Sequence, residues 1–196
     1  RIMKPDGKLV ATSPTRMEQT LAGVVGAAKW NVDPEGIPSA LRTAWFHVEF
    51  GNFAMASGVL KKARNSRKTE TKQGARKLLD YVGEKMSKQI ETAKTADADG
   101  KAWEAYRGYS DAAVRYKGFD LPKDITATIN KLKGNADVKK EVAALRILGA
   151  AKRKLYGKTI SARKSGFRAL ERLADQQSET QAGREAEQLI KSLGMP

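Results

Sequence analysis

The chain has 196 residues and carries 37 Lys/Arg against 22 Asp/Glu, a net charge of +15. It has no cysteine and one histidine, His47, which excludes disulfides, thiolate metal sites, cysteine nucleophiles and any site built on two histidines. No apolar run reaches the roughly 20 residues that span a bilayer.

The length allows a sizeable core, as one domain or as one plus a fragment. The chain opens on Arg1 with no apolar signal core behind it, so the expectation is a processed or excised piece of something longer. Arg1-Ile2-Met3-Lys4 and Lys8-Leu9-Val10-Ala11 flank Pro5-Asp6-Gly7, which reads as two short strands around a turn. Ser13 or Thr15 then caps an expected helix to about Lys29, with Met17, Leu21 and Val24/Val25 along one side. Residues 31–38 (NVDPEGIP) place two prolines and a glycine in one short stretch, a linker or tight elbow. The expected organisation is therefore a hairpin-and-helix unit over 1–30, a linker over 31–38 and an α-helical domain over 39–196.

From Ser39 onward helical periodicity dominates. Leu41, Ala44, Trp45 and Val48 form one stripe, and Phe53, Ala56, Leu60 and Ala63 the next. A longer helix turns Leu78/Leu79, Val82, Met86, Ile90 and Ala93 inward, followed by one carrying Trp103, Tyr106, Ala113 and Tyr116. Pro122 suits a first helical turn before Ile125, Ile129 and Leu132. Asp137 caps a helix with Val138, Val142, Leu145, Leu148, Ala151 and Leu155 inward, and Ile160, Phe167, Leu170 and Ala174 mark another. Ser178 with Gln181 fits a capping box ahead of Ala182, Ala186, Leu189, Ile190 and Leu193. Eight helices with short connections result.

One pattern recurs three times: Gly51-Ala56-Ala63, Gly100-Ala105-Ala112 and Gly157-Ala162-Ala169. Each glycine is expected at positive φ, ending one helix, and each alanine pair lies about two turns apart on one face of the next. This predicts a mainly α fold, an irregular stack of helical hairpins, because the glycines are 49 and 57 residues apart rather than evenly spaced. Gly58, Gly108 and Gly166 fall inside predicted helices, either shifting helix boundaries or marking close crossings.

Gly51-Asn52-Phe53-Ala54-Met55-Ala56 is similar to the start of the second helix of a tetratricopeptide repeat, and Gly100-Lys101-Ala102-Trp103-Glu104-Ala105 looks like the same element with its aromatic moved by one. The strand–turn–strand–helix of the opening segment resembles the end of a thioredoxin-fold domain. Taken together, the order resembles bacterial envelope proteins in which a thioredoxin-like domain precedes a helical tail. That resemblance implies an exported, periplasmic setting and a thiol–disulfide oxidoreductase parent whose cysteines lie upstream of Arg1. No residue here matches its catalytic motif.

The charge falls in two stretches. Residues 61–77 have net charge +7 and residues 146–168 net charge +8, the latter without an acid. The candidate partner- or polyanion-binding residues are Lys61, Lys62, Arg64, Arg67 and Lys68 in the first, and Lys152, Arg153, Lys154, Arg163, Lys164 and Arg168 in the second. The competing reading is a solvated outer face, with Lys152-Arg153-Lys154 complementing a helix end. Tyr106, Tyr109, Tyr116 and Trp103 near Arg107 and Arg115 offer a base-stacking set, or simply hairpin core.

His47 beside Glu49 lacks a nucleophile nearby and reads as structural. Asp97-Ala98-Asp99-Gly100 lacks the further ligands of a calcium loop and reads as a turn, and Gly23-Val24-Val25-Gly26 has the wrong spacing for a phosphate loop. No catalytic residue, metal site or cofactor is expected within these residues. The expectation is a non-catalytic helical scaffold that docks a protein partner or acidic surface. The alternative is sequence-independent binding of nucleic acid or another polyanion.

Overall fold

Two stripes of small and branched side chains meet first: α1 (Arg42–Glu49) buries Ala44, Trp45 and Val48, and α2 (Phe53–Arg64) buries Phe53, Ala56, Leu60 and Ala63. The computed structural model describes residues 2–3, 9–10, 13–20 and 29–193. Their helices continue with α3 (Thr69–Ala98), α4 (Ala102–Arg115), α5 (Ile125–Lys133), α6 (Ala136–Leu155), α7 (Ile160–Gln176) and α8 (Gln181–Ser192). The eight expected between Ser39 and Leu193 are all present, and the fold is mainly α. Ahead of them, β1 (Ile2–Met3) and β2 (Leu9–Val10) pair antiparallel, Ile2 opposite Val10. A single 3₁₀ turn, Pro14–Arg16, leads into helical residues 17–20. The Pro5-Asp6-Gly7 turn, the Leu21 and Val24/Val25 stripe and Gly23–Gly26 lie outside the described residues.

The chain divides into two units, residues 1–82 and 83–196, so that α3 contributes its first half to one and its second half to the other. In the first unit the segment expected as a linker is docked on α1. Val32 and Ile37 are each only 5% exposed. The Trp45 indole Nε1 donates to the Val32 carbonyl at 2.7 Å. Both oxygens of Glu49 accept backbone N–H groups, from Asn31 at 2.9 Å and Val32 at 3.0 Å. Lys77 on α3 donates to the carbonyls of Asp33 and Glu35 at 2.9 and 3.1 Å. Two prolines do break the helix here, but burial and these bonds make the break an anchored elbow.

In the second unit α6, α7 and α8 pack on one another around Leu148, Ala151, Leu155, Leu170, Leu173, Ala182 and Ala186. Two caps differ from expectation. Asn135, not Asp137, accepts the N–H groups of Asp137 and Val138 at the start of α6, and Thr180, not Ser178, caps α8 by accepting from Gly183. In each case the polar side chain lying just outside the first helical turn takes the role.

The recurring glycines split. Gly51 and Gly100 both sit at φ +74°, ending α1 and α3 as expected, whereas Gly157 is not in the positive-φ region. The third copy also departs in its alanines: Ala56, Ala63, Ala105 and Ala112 are buried, while Ala162 and Ala169 are only half-buried. There the close approach is made by Gly166 instead. A Cβ at Gly166 would stand 2.4 Å from the Leu155 N and 2.7 Å from the Ala151 O, both backbone atoms of α6. Gly108 likewise faces Ala93, with 2.8 Å between the two β-carbons if one is added. Gly58 meets nothing within 4 Å.

These distances fix the sign of two substitutions. Gly166→Ala must push α6 and α7 apart and is expected to destabilise by about 1–3 kcal/mol, the usual penalty for overpacking. Gly58→Ala, with open space around it, should stabilise by up to about 1 kcal/mol through helix propensity alone. Urea unfolding followed by circular dichroism checks both, and a Gly166→Ala chain as stable as the native one or more so would show that the crossing is not tight.

Candidate functional site

Helix α7 has one buried edge and one exposed edge, set by its period. Gly166, Leu170 and Leu173 turn into the core. The opposite edge brings Ser161, Lys164, Ser165, Arg168 and Arg172 along an open groove of about 750 Å³, walled on the α6 side by Ile147 and Lys154. Lys164, Arg168 and Arg172 follow at intervals of four, one above the next. The groove therefore gathers four cations and two hydroxyls and has no carboxylate in its lining. Among the described residues none of these four cations has an ion-pair partner. At one end stands Gln177, whose Oε1 is buried without a hydrogen-bond partner.

Of the candidate residues in this stretch, the structure thus brings Lys154, Lys164 and Arg168 together. Lys152 points elsewhere and is ion-paired with Glu185 of α8. Arg153 and Arg163 are exposed but outside the groove lining. Arg172 was missed because the acid-free window ends before Glu171, although the four-residue spacing from Arg168 carries straight on to it. In the other unit Lys61, Lys62 and Arg64 occupy the last turn of α2, where cations complement the helix dipole. Arg67 and Lys68 are exposed just ahead of α3.

The base-stacking set does not survive intact. Tyr116 is 1% exposed and Tyr109 7%, so both are core residues, and burial raises the Tyr109 phenol above its usual range, helped by Asp97. Trp103 and Tyr106 are half-buried and stack on each other, centroids 5.8 Å apart. The Glu49 carboxylate, two residues from His47, is spent on the Asn31 and Val32 backbone. Among the described residues no three His, Cys, Asp or Glu side chains are grouped to hold a metal ion.

A second concavity in the same unit, about 810 Å³, lies where the end of α3, α4, α6 and the start of α8 meet and has the opposite character. Glu141 of α6, 9% exposed, accepts the backbone N–H of Gln181 through Oε1 at 2.8 Å, placing a negative charge at the N-terminus of α8. Its other oxygen, Oε2, is buried with no protein partner. An unmatched buried acceptor of this kind costs about 1–3 kcal/mol. The Gln181 side-chain oxygen accepts from the Trp103 Nε1 at 3.2 Å and from Arg107 at 2.9 Å. At the rim Lys140 and Glu179 form an ion pair at 2.5 Å. The hydrogen bond from Lys140 lowers the Glu179 pKa, with the backbone adding to it, and the same bond raises that of Lys140.

Comparison with protein-family models, with curated proteins and with solved structures finds no match to this chain.

The rim pair predicts a pH dependence with a definite sign. A carboxylate whose native pKa is depressed contributes stability above its unfolded pKa, and that contribution fades as pH falls through the lowered native value. Lys140→Gln should move the Glu179 titration midpoint upward, part of the way back to the ordinary glutamate range, because the backbone hydrogen bond remains. A side-chain carboxyl NMR titration reads this directly, and an unchanged midpoint would mean that the pair does not form in solution.

Proposed function

We propose that this chain is a non-catalytic helical module that docks an acidic segment of a partner protein along the α7 groove. The observation that carries the reading is the row Lys164, Arg168 and Arg172, joined by Lys154 across the groove, with no lining carboxylate to neutralise it. Like charges at four-residue spacing cost a helix about 0.2–0.5 kcal/mol per pair. An anionic partner converts that cost into charge-assisted hydrogen bonds.

A peptide suits the groove better than a nucleic acid. The orphan Gln177 Oε1 offers an acceptor to a backbone N–H, and exposed Ile147 and Ile160 offer apolar contact between the cations. Base stacking would have to do without Tyr109 and Tyr116. The likeness of residues 51–56 and 100–105 to tetratricopeptide second helices supports assigning the module to hairpin scaffolds of that kind. The strand–turn–strand pattern at residues 1–13 supports reading the opening segment as the end of a thioredoxin-like domain, with an exported parent protein.

Fluorescence anisotropy with a labelled Glu/Asp-rich peptide tests the groove. Binding at about 50 mM salt should weaken by about tenfold or more at moderate salt. Lys164→Glu with Arg168→Glu should remove at least a further tenfold, about 1.4 kcal/mol. Lys61→Glu with Lys62→Glu should have a much smaller effect. Equal losses from both pairs would reduce the interaction to unspecific charge attraction and sink the groove. A single-stranded oligonucleotide of equal charge that binds as tightly would favour the polyanion reading instead.

A further inference from the structure

In a chain of net charge +15, the concavity between the end of α3, α4, α6 and the start of α8 is lined by five carboxylates and three cations. Its cations already have partners, two of them on lining residues of the concavity itself, and of its carboxylates Glu179 is paired with Lys140. Arg107 donates to Gln181, Arg184 donates to the Glu179 carbonyl at 2.7 Å, and Lys101 pairs with Asp99 at 3.0 Å. The carboxylates are not gathered into a metal cage; they are spread along the walls, with Glu104 and Asp111 two turns apart on α4 and Glu141 at the back. Clustered acids alone would mark only a solvated surface. Glu141 is the independent sign, because it lines this concavity, is nine-tenths buried, and has an oxygen that accepts nothing from the protein.

The chemistry that completes such a site is specific. Oε2 needs a hydrogen-bond donor, and a cationic donor is favoured over a neutral one because the acceptor is a carboxylate. The neighbouring Trp103 indole supplies an aromatic surface of the type that attracts ammonium groups. A spread of further carboxylates favours an elongated or flexible cation over a compact ion. The geometry points to a binding site for an alkylammonium group, donating to Glu141 Oε2 beside Trp103. Two sources share this chemistry: a free diamine and the lysine side chain of a partner peptide. The site is separate from the basic groove of α7 and independent of what binds there.

The test is an NMR titration of the ¹⁵N-labelled full chain with 1,5-diaminopentane, with a lysine blocked at both backbone ends, and with tetramethylammonium. Saturable shifts centred on the Trp103 indole N–H and the Gln181 backbone N–H are expected with the first two. Tetramethylammonium, which has no N–H to donate, should bind at least fivefold more weakly. A diamine that binds at least fivefold tighter than blocked lysine identifies a free diamine as the natural source, and equal affinity identifies a lysine side chain. Glu141→Gln should weaken binding by tenfold or more. Because that residue also accepts the first N–H of α8, the exposed pair Glu104→Gln and Asp111→Asn provides a second measurement, expected to weaken binding several-fold in a chain with an otherwise unchanged spectrum. Shifts that grow linearly without saturating, or affinity that is the same in the native chain and both variants, would overturn the site and leave a bound water as the partner of Oε2.

Discussion

The backbone-to-backbone approach at Gly166 governs residues 136–192. With no Cβ there, α7 lies against the Ala151–Leu155 turn of α6 at a distance that no other residue permits. Once that contact is fixed, the helical period leaves no freedom: Leu170 and Leu173 follow Gly166 into the core, and Lys164, Arg168 and Arg172 are carried outward. The groove is in this sense a by-product of core packing. Its cations are placed by exclusion from the interior, and its depth by how closely two helices nest.

Charge count alone is a poor guide to which cations are available. Lys77 holds a loop through two carbonyls, Lys152 neutralises Glu185, and Lys140 binds Glu179. These are structural commitments, and two of them, Lys77 and Lys152, fall within the stretches that look basic in sequence. Only when they are set apart does the α7 row stand out, together with Lys154. The same sorting applies to the acids. Glu49 secures the elbow and Glu141 accepts the first N–H of α8, so neither is spare surface charge.

The apolar stripes of α1, α2 and α3 could be read directly, because Leu41 to Val48, Phe53 to Ala63 and Leu78 to Ala93 repeat at helical spacing without interruption. Farther along, the reading slipped where a buried residue was not hydrophobic. Glu141 occupies a core position of α6 that a stripe of Val142 and Leu145 conceals, and Ala144 is buried where Leu145 is only half so. Ile160, expected inward, is 66% exposed, since the first turn of α7 lies before the crossing at Gly166. Caps were misplaced by two residues because Asn135/Asp137 and Ser178/Thr180 offer equivalent side chains, and only the path of the chain decides between them. Three of the groove's four cations were legible as a basic run. The orphan oxygens of Glu141 and Gln177 were not, because an unmet hydrogen bond has no signature in sequence.

The docked elbow redefines where the first helical unit begins. Residues 31–38 carry the acceptor for the Trp45 indole, the donors for Glu49 and two of the unit's buried side chains. A fragment started at Ser39, where the helical pattern sets in, would strand an indole N–H and a carboxylate at an opened apolar seam. The smallest excisable piece therefore starts upstream of its first helix, no later than Trp30, whose ring meets Trp45 edge-on at 5.0 Å, and the proline-rich stretch that looks dispensable acts as the cover of the domain.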